Sequence, residues 1–138
     1  MGQIFTTIEV ANLRDEIDFQ RHHIPAEEVR RFTVDEVLVD TGATHLCLPQ
    51  DLVERLGLER FEEVTVHTAE GYGTRKIYRE VTLRINGRED VVRCIALPKG
   101  SRPLLGAIPM ELLGIEPNLA TRSLHFIPIN DHSSYLYV

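Results

Sequence analysis

The stretch Val37-Leu38-Val39-Asp40-Thr41-Gly42-Ala43-Thr44-His45-Leu46-Cys47-Leu48 decides how the chain is read. An aliphatic run enters Asp-Thr-Gly, and a second apolar run leaves it and ends at Pro49. Short apolar runs bounded by breakers favour buried strands. An acidic side chain at the end of such a strand is costly unless it is paired or used. Gly42 lets the backbone turn where a Cβ would clash, so Asp40 can point out of the turn. Thr41 adds a hydroxyl able to brace neighbouring backbone. Alone, Asp-Thr-Gly is most simply a strand-end aspartate that caps a turn. The flanks and the second half of the chain argue for more.

Working outward, residues 32–39 read as the strand that enters the turn. After it, Pro49-Gln50-Asp51-Leu52-Val53-Glu54-Arg55-Leu56-Gly57 has the build of a short helix. Proline opens it, Asp51 sits in the positive first turn, Arg55 in the negative last turn, and Gly57 ends it. Leu52 and Leu56 share one face, which must pack back on the sheet. Residues 64–78 read as two strands joined at Ala69-Glu70-Gly71-Tyr72-Gly73, where two glycines offer turn conformations that other residues resist. Val81, Leu83 and Ile85 alternate as a further strand before Asn86-Gly87, a strong hairpin signal, and residues 91–97 return as its partner. Residues 98–103 form a loop.

The second half then repeats the first. Leu104-Leu105-Gly106-Ala107 precedes Pro109-Met110-Glu111-Leu112-Leu113-Gly114-Ile115-Glu116, just as Thr41-Gly42-Ala43 precedes a helix opened by Pro49 and closed by Leu56-Gly57-Leu58-Glu59. The second helical segment reads as the shorter, so the repeat is degenerate. Only the first half carries the aspartate. Residues 123–128 are a closing strand, and 135–138 form an apolar tail.

Before this core, residues 3–10 alternate as a strand. Residues 12–31 are polar, charge-mixed and poorly periodic, and are expected to be an irregular insertion with a short helix near Pro25. His22 and His23 within it read as solvent-exposed, with no metal-ligand spacing beside them. The 138 residues suit one domain with a real core but not two lobes. A net charge of −6 and the absence of a basic cluster argue against nucleic acid. No stretch is long enough to cross a membrane, and residues 1–5 lack the build of a leader. Cys47 and Cys94 lie in apolar surroundings and read as buried free thiols ahead of a disulfide or metal pair, which suggests the cytoplasm.

With these pieces in order, the sequence resembles the retropepsin-type aspartic proteases of clan AA, and among them the small stand-alone bacterial type. Residues 37–44, the Gly71/Gly73 hairpin and Leu104-Leu105-Gly106 carry the likeness. The resemblance implies a mostly β, closed or pseudo-barrel acid-protease fold with one or two short helices, assembled as a two-fold homodimer. It implies catalysis by Asp40, supported by Thr41, Gly42, Ala43 and Thr44. Ala69, Glu70, Gly71, Tyr72 and Gly73 become a flap over the substrate, and Leu105 and Gly106 become the second supporting loop. No cofactor and no metal are implied. Thr44 departs from the acidic residue or serine common there: it keeps a hydroxyl but cannot make the same ion pair.

An aspartic protease needs two carboxylates around one water, and one chain offers one. The resemblance therefore implies a second copy that supplies the other, with an extended peptide or protein as substrate. Two rivals stand beside this reading. Actin-like ATPases and sugar kinases also use a strand-end Asp-x-Gly, but they need two large domains. A catalytically silent dimerisation or peptide-binding module of the same fold is the nearer alternative.

Overall fold

The computed structural model describes residues 2–129, with Arg60 and Phe61 as backbone only. Alternating apolar residues make most of it β. The strands β1 (Phe5–Asn12), β2 (Arg31–Val39), β3 (Leu46–Pro49), β4 (Arg60–Thr68), β5 (Gly71–Ile85), β6 (Arg88–Leu97) and β7 (Leu104–Leu105) form one sheet, in the order β1-β2-β7-β3-β6-β5-β4. β1 also pairs with β5, from Glu9 opposite Arg84 to Asn12 opposite Val81, so the sheet closes into a ring with β4 outside it. Val10, Val37, Leu46, Leu48, Val81, Leu83 and Leu105 are fully shielded inside. Asn86 and Gly87 adopt φ values of 49° and 84°, the left-handed pair that a tight hairpin between β5 and β6 requires.

Three helices, α1 (Leu13–Gln20), α2 (Gln50–Leu56) and α3 (Ala107–Leu113), pack around the ring, and a separate hairpin of β8 (Ile115–Asn118) and β9 (Ser123–Phe126) follows α3. Arg88 ties these last parts together. Its guanidinium donates to the carbonyls of Leu113 and Gly114 at the end of α3 and to that of Ile127, and it lies over the Phe126 ring.

Several expectations need correction. One or two helices were expected, and the described residues contain three α-helices. The insertion at 12–31 is not irregular: α1 occupies its first part, and only a single 3-10 turn, Ala26–Glu28, lies near Pro25. Residues 69–73 are not all turn, since Tyr72 and Gly73 already pair with His67 and Val66 and only Ala69 and Glu70 lie between strands. Finally, β5 runs unbroken through a bulge at residues 79–80, where Glu80 takes a φ of 66°, so the two strands read on either side of it are one. The apolar segment 135–138 lies outside the described residues.

The internal repeat is visible in the pairing. β2 runs parallel to β7 and β3 parallel to β6, while β3 and β7 pair antiparallel between them. Each half thus sends one strand into the other half. Both α2 and α3 have seven residues, rather than the second being shorter, and both end at a glycine with φ of 66°. A residue with a Cβ would be strained at either glycine.

α1 packs unusually, burying Asp15 and Glu16 while leaving Phe19 exposed. Asn12 caps it by accepting from the Asp15 N–H, and its amide donates to the carbonyl of Leu56, so one buried side chain serves two helix ends. Glu16 receives the Thr82 hydroxyl and the Arg84 guanidinium. Asp15 takes three bonds from Arg30: from its backbone N–H at 3.0 Å, from Nε at 2.8 Å and from Nη2 at 3.0 Å.

The hydrogen bonds from Arg30 hold the Asp15 carboxyl below its ordinary range, against burial, which pushes the other way. A carboxyl depressed in the folded state stabilises above its unfolded pKa, and the contribution is lost as pH falls through the lower folded value. Urea midpoints are therefore expected to fall below about pH 4. Arg30→Met should be less stable at neutral pH, with the gap to wild type narrowing on acidification. A gap that stays constant from pH 7 to acid would show that the pair contributes no such pH dependence.

Candidate active site

Asp40 sits where β2 ends and the chain must turn. Its N–H donates to the Leu105 carbonyl at 3.0 Å, and the preceding Val39 N–H donates to the Ile4 carbonyl at 2.8 Å. The carboxylate Oδ1 accepts the Gly42 N–H at 2.9 Å, and the Asp40 carbonyl accepts the Ala43 N–H at 3.1 Å. The turn thus fixes the acid by backbone groups alone. Gly42 does not need a left-handed conformation here. It needs space, because a Cβ would stand 3.1 Å from Asp40 Oδ1. Asp40 is half-buried, whereas Thr41, Gly42 and Thr44 are exposed. The Thr44 hydroxyl lies 2.7 Å from His45 Nδ1, and burial, with the nearby Arg93 charge, pushes the His45 pKa down.

The second half of the repeat braces this turn. α3 has no side-chain cap at its start, so its first N–H groups need acceptors from elsewhere. Ala107 donates to the Ala43 carbonyl at 2.8 Å and Ile108 to the Thr44 carbonyl at 2.9 Å. Pro109 has no N–H to satisfy, and Met110 turns back to Gly106. The helix start and the Asp40 loop therefore meet each other's backbone needs. They approach so closely at Gly106 that a Cβ there would lie 2.5 Å from the His45 carbonyl and 2.7 Å from that of Ala43.

Asp40, Gly42, Ala43, Thr44, Leu105 and Gly106 are thus brought together, and Thr41 faces solvent beside them. The residues singled out for a flap form their own group on the β4–β5 hairpin. Gly71 has φ of 115°, the Thr68 hydroxyl donates to its carbonyl, and Tyr72 is 75% exposed with its ring against His67. Sequence reasoning missed Ala107 and Ile108 as braces. It also missed that residues 2–4, Pro117 and Leu119 share with residues 38–41 a groove of about 390 Å³ beside Asp40. The degenerate repeat was the available signal for the braces; nothing in the sequence pointed to Pro117 or Leu119.

Cys47 and Cys94 are unpaired and buried. Burial first, then the charge of Asp40, pushes the Cys47 thiol up to about 11, so it is held as the non-nucleophilic thiol. Among the described residues no group of three or more His, Cys, Asp or Glu is arranged to hold a metal ion. No helix among them is long and apolar enough to cross a membrane.

A closed β ring whose two halves exchange strands, with one Asp-Thr-Gly turn braced by a Gly-Ala helix start, defines a class of acid-protease folds. Comparison with protein families agrees: residues 28–114, more than half of the chain, match the family described as "gag-polyprotein putative aspartyl protease". The chain belongs to that family, a retropepsin-like group of clan AA. A search of curated proteins gave no match. The matched span covers the Asp40 loop, the β4–β5 hairpin and α3, and stops before β8.

The crossing at residue 106 predicts a specific sensitivity. Gly106→Ala keeps an allowed φ but forces the added methyl into two carbonyls, so we expect a loss of about 1–3 kcal/mol in urea unfolding. A variant as stable as wild type would show that the crossing relaxes without cost.

Proposed function

We propose that this chain is an aspartic endopeptidase whose catalytic pair is Asp40 from each of two copies, acting on peptide or protein bound as an extended strand. The observation that carries the reading is the single Asp40 carboxylate, fixed by the Gly42 N–H at 2.9 Å on an open face of the fold. Thr41 stands exposed beside it, free to brace the equivalent loop of a second copy. Two carboxylates about 3 Å apart cannot both ionise cheaply, so the pair holds one proton. The charged member takes a proton from the attacking water. The neutral member donates to the scissile carbonyl and then protonates the leaving amine. The flap residues 69–73 would close over the bound strand, its main chain pairing with theirs. The two buried thiols support a reducing compartment such as the cytoplasm.

Asp40→Asn tests this directly, because it removes the charge and the proton store at nearly constant volume. We expect kcat/KM on a mixed peptide library to drop at least about a hundredfold, with fold and dimer retained. Wild-type activity should be bell-shaped in pH, on the acidic to neutral side, with both apparent pKa values belonging to the pair. Hydrolysis by pure Asp40→Asn, or a rate rising steadily into alkali, sinks the assignment.

The flap makes a second, independent prediction. An added Cβ at Gly71 meets nothing within 4 Å, so the cost of Gly71→Val is confined to the backbone at its φ of 115°. Turnover should fall several-fold while the melting temperature moves little. Unchanged kinetics on several peptides would return this hairpin to an ordinary surface loop.

A further inference from the structure

Lysine occurs at two positions in the chain, Lys76 and Lys99, and the fold brings both to one cavity. The cavity holds about 310 Å³ and lies between β5, where it leaves the flap hairpin, and the end of β6. Thr74 and Lys76 are two residues apart on β5 and share a face, the one opposite buried Ile77. Lys99 is presented by a tight turn. The Ser101 N–H donates to the Pro98 carbonyl at 3.0 Å, and Gly100 takes a φ of 83° where such a turn needs it. Ala96, Leu97 and Pro98 give the cavity an apolar part. Arg75 adds a third cation, its Nη1 donating to the Thr74 carbonyl at 2.9 Å. Glu63, opposite Lys76 in the β4–β5 ladder, is the one acid among the described lining residues. Arg14, Arg30, Arg79 and Arg84 all form ion pairs, whereas neither lysine does so among the described residues. In a chain of net charge −6, three cations thus meet one carboxylate in this cavity.

We propose that this cavity binds an acidic side chain of the peptide substrate, several residues from the scissile bond, with Lys76 and Lys99 as the residues that select it. The proposal rests on the protease reading, in which the substrate lies extended against the flap. An extended peptide that pairs with residues 69–73 and continues along the hairpin advances about 3.3 Å per residue. It draws level with Lys76 roughly three residues beyond the stretch the flap covers. Lysine suits the task, because its ammonium is a point charge on a flexible stem and reaches a carboxylate without the fixed fork of arginine. Two copies related by a two-fold axis would place one such cavity towards each end of the bound strand.

The test uses the full chain. A peptide that wild type cleaves is taken from the mixed library and resynthesised with Glu, Gln or Lys at each position flanking the cleaved bond. Hydrolysis is measured for wild type and for the double variant Lys76→Gln, Lys99→Gln. The control, Arg21→Gln with Arg31→Gln, removes the same charge at two exposed positions outside the cavity. Exposed ion pairs are individually weak, so wild type should prefer Glu over Gln about three- to tenfold, through KM, at one or more positions beyond the flap-covered stretch. The preference should vanish in the lysine variant, and also at about 1 M salt, where charges are screened within about 3 Å. It should persist in the arginine control. Equal cleavage of Glu and Gln peptides by wild type, or a preference that survives loss of both lysines, overturns the cavity while the protease reading stands. Binding is followed separately, by fluorescence anisotropy of labelled Glu-rich and Gln-rich peptides. A chain that cleaves nothing but binds the Glu-rich peptide through the two lysines supports the cavity as an acidic-peptide site and removes the catalytic reading. One that does neither overturns both. Free glutarate held by the lysines, with no preference among peptides, would give the cavity to a small dicarboxylate and overturn the proposal.

Discussion

Everything near the acid depends on one backbone crossing. The start of α3 gives its two unpaired N–H groups to the carbonyls of Ala43 and Thr44, and the crossing leaves no room for a side chain at Gly106. Neither partner would be well satisfied alone. An uncapped helix start leaves donors without acceptors, and a tight loop after a buried strand leaves carbonyls without donors. Pairing the two removes both costs and locks the loop. Asp40 is then aimed by geometry that no side chain near it controls, which suits a group whose chemistry depends on position.

The crossing follows from the larger symmetry of the sheet. β2 lies beside β7 and β3 beside β6, so each half of the repeat is completed by the other. Two comparable turns result, one after β2 and one after β7, and they meet where Ala107 and Ile108 donate to Ala43 and Thr44. Evolution of chemistry in one turn leaves the other free to act as scaffold: the first keeps the acid, and the second keeps Gly106 and the helix start. An arrangement with one acid and one brace per chain is structurally complete and, in the proposed reaction, chemically half-complete. That asymmetry is why assembly enters any account of activity.

What the sequence disclosed follows from how the information is carried. Strands of the ring were legible because apolar alternation and Asn86-Gly87 act locally, and α2 because proline, Asp51, Arg55 and Gly57 mark its ends. The Asp40 loop and Gly106 were legible through the order of motifs and the repeat. α1 was not, because it inverts the usual rule: its inward face carries Asp15 and Glu16, and the burial is stabilised by Arg30 and Arg84 from elsewhere in the chain. Asn12 followed by Asp15 and Glu16 was the one local signal, a cap and an acidic first turn. The groove wall at Pro117 and Leu119 was invisible for another reason. Its meaning lies in the distance to Asp40, and no local pattern encodes that.

Two sets of carboxylates in this chain face opposite demands in acid. In the proposed reaction the Asp40 pair must keep a shared proton, which favours working below neutrality. The scaffold needs the reverse, since Asp15 and its pairing with Arg30 close the gap between α1, β2 and the end of α2 only while the carboxyl is charged. Arg30 reconciles the two. By donating three hydrogen bonds to Asp15 it holds that carboxyl below the ordinary range, so the scaffold retains its charge into acid where an unpaired aspartate would be protonated. Arg84, shared among Glu9 of β1, Glu16 of α1 and Glu89 of β6, places a second cation among acidic groups on the neighbouring elements. The Asp15–Arg30 pair, in residues that sequence periodicity would dismiss as an excursion, thus moves the loss of its own contribution to lower pH.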